Sequence, residues 1–251
     1  MTNVIIIPVH NQVFHLKACI DSIKKHTKEY SLIIVDDGST DYETVKWIDD
    51  LPDKILIRHT KAMGFSKACN AGIDYAIKYL DFNILCLLNS DTVIVTPDWL
   101  DKMAIEFSKF EKPGVASVVS DNATSQTIYN PAKYLTKINT KPTLKSQLIH
   151  GFCYFMSRKV ILTIGRFDED LFPHYGSEDD YSLNCIKHGF TNFIVGSIFV
   201  KHNASTSYSA ERRESLISKS LPALLTRWTR HYVSDCINRS LHIQKMLNET
   251  P

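Results

Sequence analysis

The first two-thirds of the chain alternates short apolar runs with segments in which apolar residues recur every three or four positions. Short uninterrupted apolar runs predict buried strands, and the longer periodic segments predict amphipathic helices. The clearest helix covers residues 65–80. The predicted strands are residues 4–9, 32–35, 55–57, 84–88, 115–119, 151–156 and 193–200, and the other predicted helices are residues 12–27, 157–165, 177–188 and 211–251.

This alternation predicts an α/β fold with a mostly parallel central sheet flanked by helices on both faces, because continuously apolar strands have to be buried on both sides. Residues 120–147 are polar and break the pattern, so we expect a long excursion there. In such sheets, ligands bind beyond the carboxyl ends of the strands. Three polar clusters follow predicted strands, and we expect them to form one site: residues 8–11, 36–41 and 89–91.

Asp91 and His202 are candidate metal ligands, since each comes shortly after a predicted buried strand. Mg²⁺ and Mn²⁺ prefer oxygen ligands and bind through one or two carboxylates together with phosphate oxygens. A neutral imidazole can complete such a site. Two plainer interpretations stay open, because residues 89–91 are all turn formers and a lone histidine is more often a surface or core residue.

Glu178, Asp179 and Asp180 begin a predicted helix. The plain explanation is that negative charge is favoured at a helix N-terminus. Adjacent carboxylates also repel one another, which raises the pKa of at least one of them. A raised pKa is what a general base needs near neutral pH, so these three residues are candidate catalytic bases.

Asp36, Asp37 and Lys67 are candidate nucleotide-binding residues. Either aspartate can accept a hydrogen bond from the imide N–H of a uracil ring or from a ribose hydroxyl. Lys67 lies at the start of the clearest predicted helix, where the helix N-terminus also favours an anion such as phosphate. The alternatives are that the aspartates only cap a helix and that Lys67 is a solvated lysine.

Composition narrows the class of protein. A net charge of +2 over 251 residues gives no argument for nucleic acid as a partner. The six cysteines contain no C-x-x-C pair, which favours buried free thiols in a reducing compartment over a disulfide framework. The N-terminus lacks the features of a signal peptide, and no apolar run could span a membrane. We therefore expect a cytoplasmic protein without a transmembrane segment. The abundance of Lys, Ile and Asn indicates an AT-rich bacterial or viral genome.

Seven segments, taken in order, resemble the family 2 glycosyltransferases with the GT-A fold. Each segment alone is a weak signal, and their common order over about residues 3–209 makes the resemblance strong. The segments are residues 6–11 (IIPVHN), 35–41 (VDDGSTD), 63–72 (MGFSKACNAG), 87–92 (LLNSDT), 165–169 (GRFDE), 177–181 (SEDDY) and 201–203 (KHN).

The resemblance implies a metal-dependent transferase of the hexosyl or N-acetylhexosaminyl class, with a UDP-sugar as the default donor and Mn²⁺ or Mg²⁺ as cofactor. It implies that Asp91 and His202 hold the metal, while Asn89 replaces the first Asp of the family's D-x-D element. The implied nucleotide-binding residues are Pro8, Val9, His10, Asn11, Asp36, Asp37, Lys67, Asn89 and Ser90.

The resemblance also implies that a carboxylate of the acidic run deprotonates a hydroxyl of a glycan or glycolipid acceptor, and that a single displacement inverts the anomeric carbon. Alignment through Gly189 points to Glu178, matching the Glu-Asp pair by identity points to Asp179, and Asp180 stays open. We prefer Asp179. The residues expected near the donor sugar and the acceptor are His150, Gly151, Phe152 and Asp168.

We expect a transferase domain over residues 1–209 and a helical extension over residues 210–251. The extension is basic and aromatic. An ordinary packed helix is the preferred interpretation, and a homodimer contact or a peripheral contact at the inner face of a membrane stays open. Two other functions also stay open: a non-catalytic nucleotide-sugar-binding protein, and another nucleotide-dependent Rossmann-like enzyme. Residues 8–12 argue against the latter, because they replace the glycine-rich phosphate turn.

Overall fold

The computed structural model describes residues 3–203 and 209–249. The strands are β1 (Val4–Val9), β2 (Ser31–Asp36), β3 (Lys54–Arg58), β4 (Ile84–Leu88), β5 (Thr92–Ile94), β6 (Pro113–Ser120), β7 (Thr143–Lys145), β8 (Cys153–Ser157) and β9 (Thr191–His202). The helices are α1 (Val13–His26), α2 (Tyr42–Asp50), α3 (Phe65–Tyr79), α4 (Trp99–Ser108), α5 (Pro131–Leu135), α6 (Arg158–Ile164), α7 (Ser177–Lys187), α8 (Ala210–Trp228) and α9 (Arg230–Glu249).

The described strands form one sheet in the order β3-β2-β1-β4-β8-β6-β9-β5, with β7 paired to β9. β3, β2, β1 and β4 are parallel to one another, as predicted. The other half is mixed: β8 is antiparallel to β4 and to β6, β6 is parallel to β9, and β5 and β7 are antiparallel to β9. A mostly parallel sheet therefore describes the first half only, because β8 enters between β4 and β6 in the opposite direction.

Alternate side chains of the inner strands pack into two hydrophobic cores, one on each face of the sheet. Ile5 packs with Leu16 of α1 on one face, and Ile6 packs with Ile73 of α3 on the other. Gly72 lets α3 approach β1 closely, since a Cβ at this position would come within 2.5 Å of Ile6 Cγ2. β1, β2 and β4 are thus buried on both sides, which is why their sequences are continuously apolar.

Several elements were not predicted from the sequence. β5 and β7 have three residues each and α5 has five, which is too short for a periodic pattern to be visible. β5 and β7 both exist as strands because they pair with β9. The helices α2 and α4 were also missed as complete elements. The polar excursion over residues 120–147 contains α5, β7 and two 3-10 turns, Thr124–Gln126 and Ile138–Thr140.

The C-terminal extension is helical, as predicted, and packs onto the rest of the chain. Ile243 and Leu247 of α9 join the core that contains α3. α8 and α9 share a separate cluster of apolar side chains with residues outside the extension, including Leu148, Phe172 and Leu183. Within residues 3–203 and 209–249, no helix combines the length and the apolar character that crossing a membrane requires. All six cysteines are free and buried, which confirms that prediction.

Candidate functional site

The loops that follow β1 and β2 are tied together by hydrogen bonds. Asn11, with a left-handed φ of 59°, accepts at Oδ1 from the backbone N–H groups of Thr40 and Asp41, each at 2.9 Å. His10 Nδ1 donates to the backbone carbonyl of Asp37 at 2.9 Å. The first two predicted polar clusters therefore form one continuous wall at the carboxyl edge of the sheet.

Asp37 lies in this wall and is 7% exposed. Its Oδ1 accepts from His59 Nδ1 at 2.7 Å and from the N–H of Met63 at 2.8 Å, and its Oδ2 accepts from the N–H of Gly64 at 2.9 Å. The carboxylate therefore holds the segment that leads into α3. Since a carboxylate oxygen can accept two hydrogen bonds, Oδ2 keeps one acceptor position for a ligand.

Asp36 is 0% exposed, which argues against the predicted contact with a nucleoside. Its Oδ1 accepts from the N–H of Ser39 at 2.9 Å, and its Oδ2 accepts from Arg58 Nε at 2.8 Å. The carboxylate thus links the ends of β2 and β3 beneath the wall. At the end of β1, Val9 is also buried and Pro8 is only half-buried, so Pro8 is the more accessible of the two.

The turn that joins β4 to β5 carries the third predicted polar cluster. The N–H of Asn89 donates to the carbonyl of Phe152 at 2.9 Å, and Thr92 Oγ1 donates back to the carbonyl of Asn89 at 2.7 Å. These bonds fix the turn against the segment that enters β8. Ser90 is half-buried and Asp91 is 7% exposed, so the Asp91 carboxylate lies near the surface of the cleft without being fully solvated.

Strand pairing brings Asp91 and His202 together. Thr92 lies opposite His202 in the antiparallel β5–β9 pair, and Asp91 Oδ1 is 3.4 Å from His202 Nε2. His202 Nδ1 donates to the carbonyl of Asn122 at 2.8 Å. Because a carbonyl can only accept, Nδ1 of His202 carries a proton, and Nε2 is the nitrogen that faces Asp91. The ring also stacks on Phe152 with a centroid distance of 5.1 Å.

The Asp91–His202 pair has the geometry of two neighbouring ligands of one cation. In an octahedral shell with a radius of about 2.1 Å, adjacent ligands lie about 3 Å apart, and the observed separation is 3.4 Å. The carbonyl behind His202 orients the imidazole as such partners do in metal sites. No group of three or more His, Cys, Asp or Glu side chains among the described residues could hold a metal ion. A cation here would need further oxygen ligands from water or a diphosphate, which suits Mg²⁺ and Mn²⁺.

The segment before β8 lies between this pair and the acidic helix. Phe152 stacks on His202. Gly151 packs against Glu178 so closely that a Cβ at this position would come within 2.2 Å of Glu178 Oε1. Burial, and to a smaller extent the nearby His202, lowers the pKa of His150 to about 4. The His150 imidazole is therefore neutral at pH 7, and its Nε2 is hydrogen-bonded to Ser125 Oγ at 3.0 Å.

Asp180, at the start of α7, is 4% exposed and contacts the end of α8. Its Oδ1 accepts from Trp228 Nε1 at 2.7 Å, and its Oδ2 accepts from Arg227 Nη1 at 3.1 Å. Arg227 Nη2 also donates to Asp168 Oδ2 at 2.7 Å. Both oxygens of Asp180, and one oxygen of Asp168, are therefore engaged by the C-terminal extension.

The other two carboxylates of the acidic run face different surroundings. Glu178 accepts from Ser177 Oγ at 3.0 Å, and burial raises the pKa of Glu178. Asp179 accepts no hydrogen bond from any residue that the structure describes. Burial, together with the negative charges of Glu178 and Asp180, raises the pKa of Asp179 to about 7. Asp179 is half-buried, so part of the residue is open to solvent.

Lys67 lies on the first turn of α3, with Nζ 3.5 Å from Glu169 Oε1. The same loop, between α6 and α7, covers the N-terminus of α3, where the N–H of Ser66 donates to the carbonyl of Pro173 at 3.1 Å. That bond occupies one of the N–H groups that a phosphate could otherwise use. The Lys67 ammonium group is therefore already paired with the Glu169 carboxylate.

Three residues of this site lie outside the seven sequence segments: Asn122, Arg227 and Trp228. Asn122 acts through its backbone carbonyl, for which the residue type gives no indication. The one available signal was charge, since the C-terminal extension is basic and the start of α7 is acidic. Complementary charge alone does not identify which cation makes the contact.

The chain belongs to glycosyl transferase family 2, whose sequence profile matches residues 4–165. A curated relative, an uncharacterised glycosyltransferase of Rickettsia felis, is 29% identical over 67% of this chain. The chain spans 27% of the length of that relative. The family predicted from the seven sequence segments is thus confirmed.

Solved glycosyltransferases share the fold. A mannosyltransferase of Pyrobaculum calidifontis, in complex with GDP-Man and Mn²⁺, matches with a TM-score of 0.64 and 15% identity, over 98% of this chain and 73% of its own. GalNAc-T7, in complex with UDP, GalNAc and Mn²⁺, matches with a TM-score of 0.63 and 13% identity, over 98% of this chain and 54% of its own. The fold is therefore GT-A, as predicted, and at these identities the likeness concerns the fold alone.

Proposed function

We propose that the protein is an inverting glycosyltransferase of the hexosyl or N-acetylhexosaminyl class, which moves a sugar from a nucleoside-diphosphate donor to a hydroxyl of a glycan or glycolipid. Membership of the family and the fold support the transferase activity. The observation that carries the mechanism is the segment before β8. This segment contacts the acidic start of α7 through Gly151 and the Asp91–His202 pair through Phe152.

A UDP-sugar is the proposed donor. One solved neighbour carries UDP and another carries GDP-Man, which supports a nucleoside diphosphate, and the preference for UDP follows from the family resemblance. The remaining acceptor position on Asp37 Oδ2 suits an imide N–H or a ribose hydroxyl. Lys67 would share its charge between Glu169 and the diphosphate.

Mn²⁺ or Mg²⁺ would be held by Asp91 and His202, with Asn89 and Ser90 beside them. When bound, the cation supplies positive charge opposite the leaving diphosphate. The protein's own contribution is orientation. The Asn122 carbonyl fixes the His202 tautomer, and Phe152 supports the ring from one face.

Asp179 is the proposed general base. The acceptor oxygen forms a bond to the anomeric carbon, the bond from that carbon to the diphosphate oxygen breaks, and the hydroxyl proton moves to Asp179. One displacement of this kind inverts the anomeric configuration. A pKa of about 7 makes the Asp179 carboxylate a stronger base than an ordinary aspartate while leaving it about half ionised at neutral pH. Glu178 is the second candidate, because burial raises its pKa as well.

The test is a panel of UDP-, GDP- and dTDP-sugars, measured for slow donor hydrolysis and for thermal stabilisation, with and without Mn²⁺. A transferase of this kind is stabilised most by the donor and Mn²⁺ together. Asp91→Asn is expected to lose the Mn²⁺-dependent part of the stabilisation. Asp81→Asn, an exposed aspartate just before β4, is the matched control and should keep it. The proposal is overturned if no nucleoside diphosphate or nucleotide sugar stabilises the protein.

A further inference from the structure

The C-terminal extension ends its first helix directly on the acidic run of α7. We propose that Arg227 and Trp228 are positioning residues for the carboxylate base: they hold Asp180, fix the first turn of α7 and provide the positive charge that faces it. This inference rests on the proposed function, because it takes the base to be a carboxylate of α7.

Geometry supports a positioning role. Trp228 and Arg227 engage different oxygens of Asp180, so the carboxylate is held in both position and rotation. Hydrogen bonds from a guanidinium to a carboxylate are charge-assisted and about twice as strong as neutral ones. Asp179 precedes Asp180 on the same helical turn, so a fixed Asp180 limits the directions in which Asp179 can point.

Arg227 also connects this turn to the donor side of the cleft. Its second nitrogen binds Asp168, and its guanidinium lies 5.5 Å from the ring centre of Phe172. The backbone carbonyl of Phe172 in turn accepts from Ser66 Oγ at the start of α3. One side chain from the extension therefore contacts the base-bearing helix and the loop that covers the start of α3.

The charges around the base are unequal. On α7 itself, Glu178 and Asp180 are acidic, and both raise the pKa of Asp179. Asp168 adds a third carboxylate through its contact with Arg227. The phenol of Tyr154 on β8 and the thiol of Cys69 on α3 face Glu178, and burial raises the pKa of each, so both are neutral at pH 7. Among the described residues in contact with the acidic run, Arg227 is the cation.

Opposite changes in charge should therefore move the base in opposite directions. Without Arg227, the negative charge of Asp180 loses its counter-charge, and the pKa of the base rises. Without the charge of Asp180, Arg227 remains and the pKa of the base falls. A residue with a merely structural role would change the rate or the stability, and the pH dependence would keep its wild-type position.

The experiment is the pH profile of Mn²⁺-dependent hydrolysis of UDP-glucose and UDP-N-acetylglucosamine by the full chain. In Arg227→Gln, the acidic limb is expected to move to higher pH by on the order of one unit. Arg227→Lys should return the limb close to its wild-type position at lower turnover, because a lysine keeps the charge but cannot bridge two carboxylates. Asp180→Asn should move the limb to lower pH.

Arg239→Gln is the matched control, since Arg239 pairs with Asp235 at 2.8 Å on the exposed side of α9 and should leave the profile unchanged. If Arg227→Gln does not fold, the position of the acidic limb in the pH profile of Asp180→Asn decides the test. Unmoved limbs in the folded Arg227→Gln and Asp180→Asn proteins overturn this inference alone. Wild-type turnover in Asp179→Asn and in Glu178→Gln would instead remove the proposed base, and this inference with it.

Discussion

Two groups of carboxylates, one at the end of β2 and one at the start of α7, differ in a single member, Asp179. At the end of β2, Asp36 and Asp37 accept hydrogen bonds from three backbone N–H groups, an arginine and a histidine, so all four oxygens are engaged. At the start of α7, Asp180 is engaged in the same way. Asp179, next to it, accepts no hydrogen bond within the described part of the chain and has a pKa raised to about 7.

On the proposed mechanism, the difference separates carboxylates that hold the loops in place from the one that acts as the base. Hydrogen bonds to an ionised carboxylate stabilise the fold and fix the attached loops. A half-buried carboxylate between like charges destabilises its own ionised form, and such residues concentrate at functional sites. The first group is therefore expected to control stability, and Asp179 is expected to control turnover.

The largest effect expected is on turnover in Asp179→Asn. Removing a general base typically costs a factor of about 10² to 10⁴, while the amide keeps the size of the side chain, so donor binding should persist. Donor hydrolysis or transfer gives the rate, and thermal stabilisation by UDP with Mn²⁺ gives the binding.

The control for this variant is Asp21→Asn, an exposed aspartate on α1 that should retain full turnover. If Asp179→Asn is fully active while Glu178→Gln is not, the base is Glu178. The contrast between open and engaged carboxylates would then fail to identify the reacting one.

The second effect is a dependence of turnover on pH. As the proposed base, Asp179 would act only when deprotonated, so the rate should rise as the pH increases through about 7 and level off above it. Below that pH, the deprotonated fraction, and with it the rate, falls about tenfold per unit. A profile that is flat between pH 5 and 8 would show that the base has an ordinary carboxylate pKa.

The third effect concerns the engaged group. Asp36→Asn removes a charge that is buried against Arg58 and the N–H of Ser39, so unfolding in urea should become easier by about 3 kcal/mol. Turnover per folded molecule should change little, because Asp36 is fully buried and its two oxygens are held by Arg58 and Ser39. A large loss of turnover at unchanged stability would reverse the roles of the two groups.

Much of the parallel half of the sheet could be predicted from the sequence, for a physical reason. β1, β2 and β4 are buried on both faces, so their sequences are continuously apolar, and the polar residues that follow them stand out. The convergence of their carboxyl ends then follows from parallel pairing alone. What the pattern did not reveal is orientation: Asp36 and Asp37 are adjacent, yet one points beneath the wall and the other lines it.

The other half depends on contacts between distant segments, which periodicity does not record. β5 exists because it pairs with β9, and that pairing places Asp91 beside His202. The motif resemblance named both residues, whereas the Asn122 carbonyl that orients His202 had no signal. Similarly, three adjacent acidic residues could not be ranked from the sequence, because Arg227 and Trp228 distinguish them from the far end of α8.

The smallest effect expected is a gain in stability where the open carboxylate is removed. The pKa of Asp179 is raised in the folded protein from 3.8 to about 7. Its ionisation therefore destabilises the fold by an amount that is absent below the unfolded pKa, grows as the pH rises between the two values, and is complete above about 7. Asp179→Asn should raise the free energy of unfolding by on the order of 1–2 kcal/mol more at pH 8 than at pH 4. This is less than the full value of the shift, because the side chain is partly open to water.

Urea unfolding at both pH values measures the difference, with Asp21→Asn as the reference. If Asp179→Asn changes the free energy of unfolding by the same amount at both pH values, the ionisation of Asp179 does not destabilise the fold. The physical contrast between Asp179 and the engaged carboxylates would then be lost.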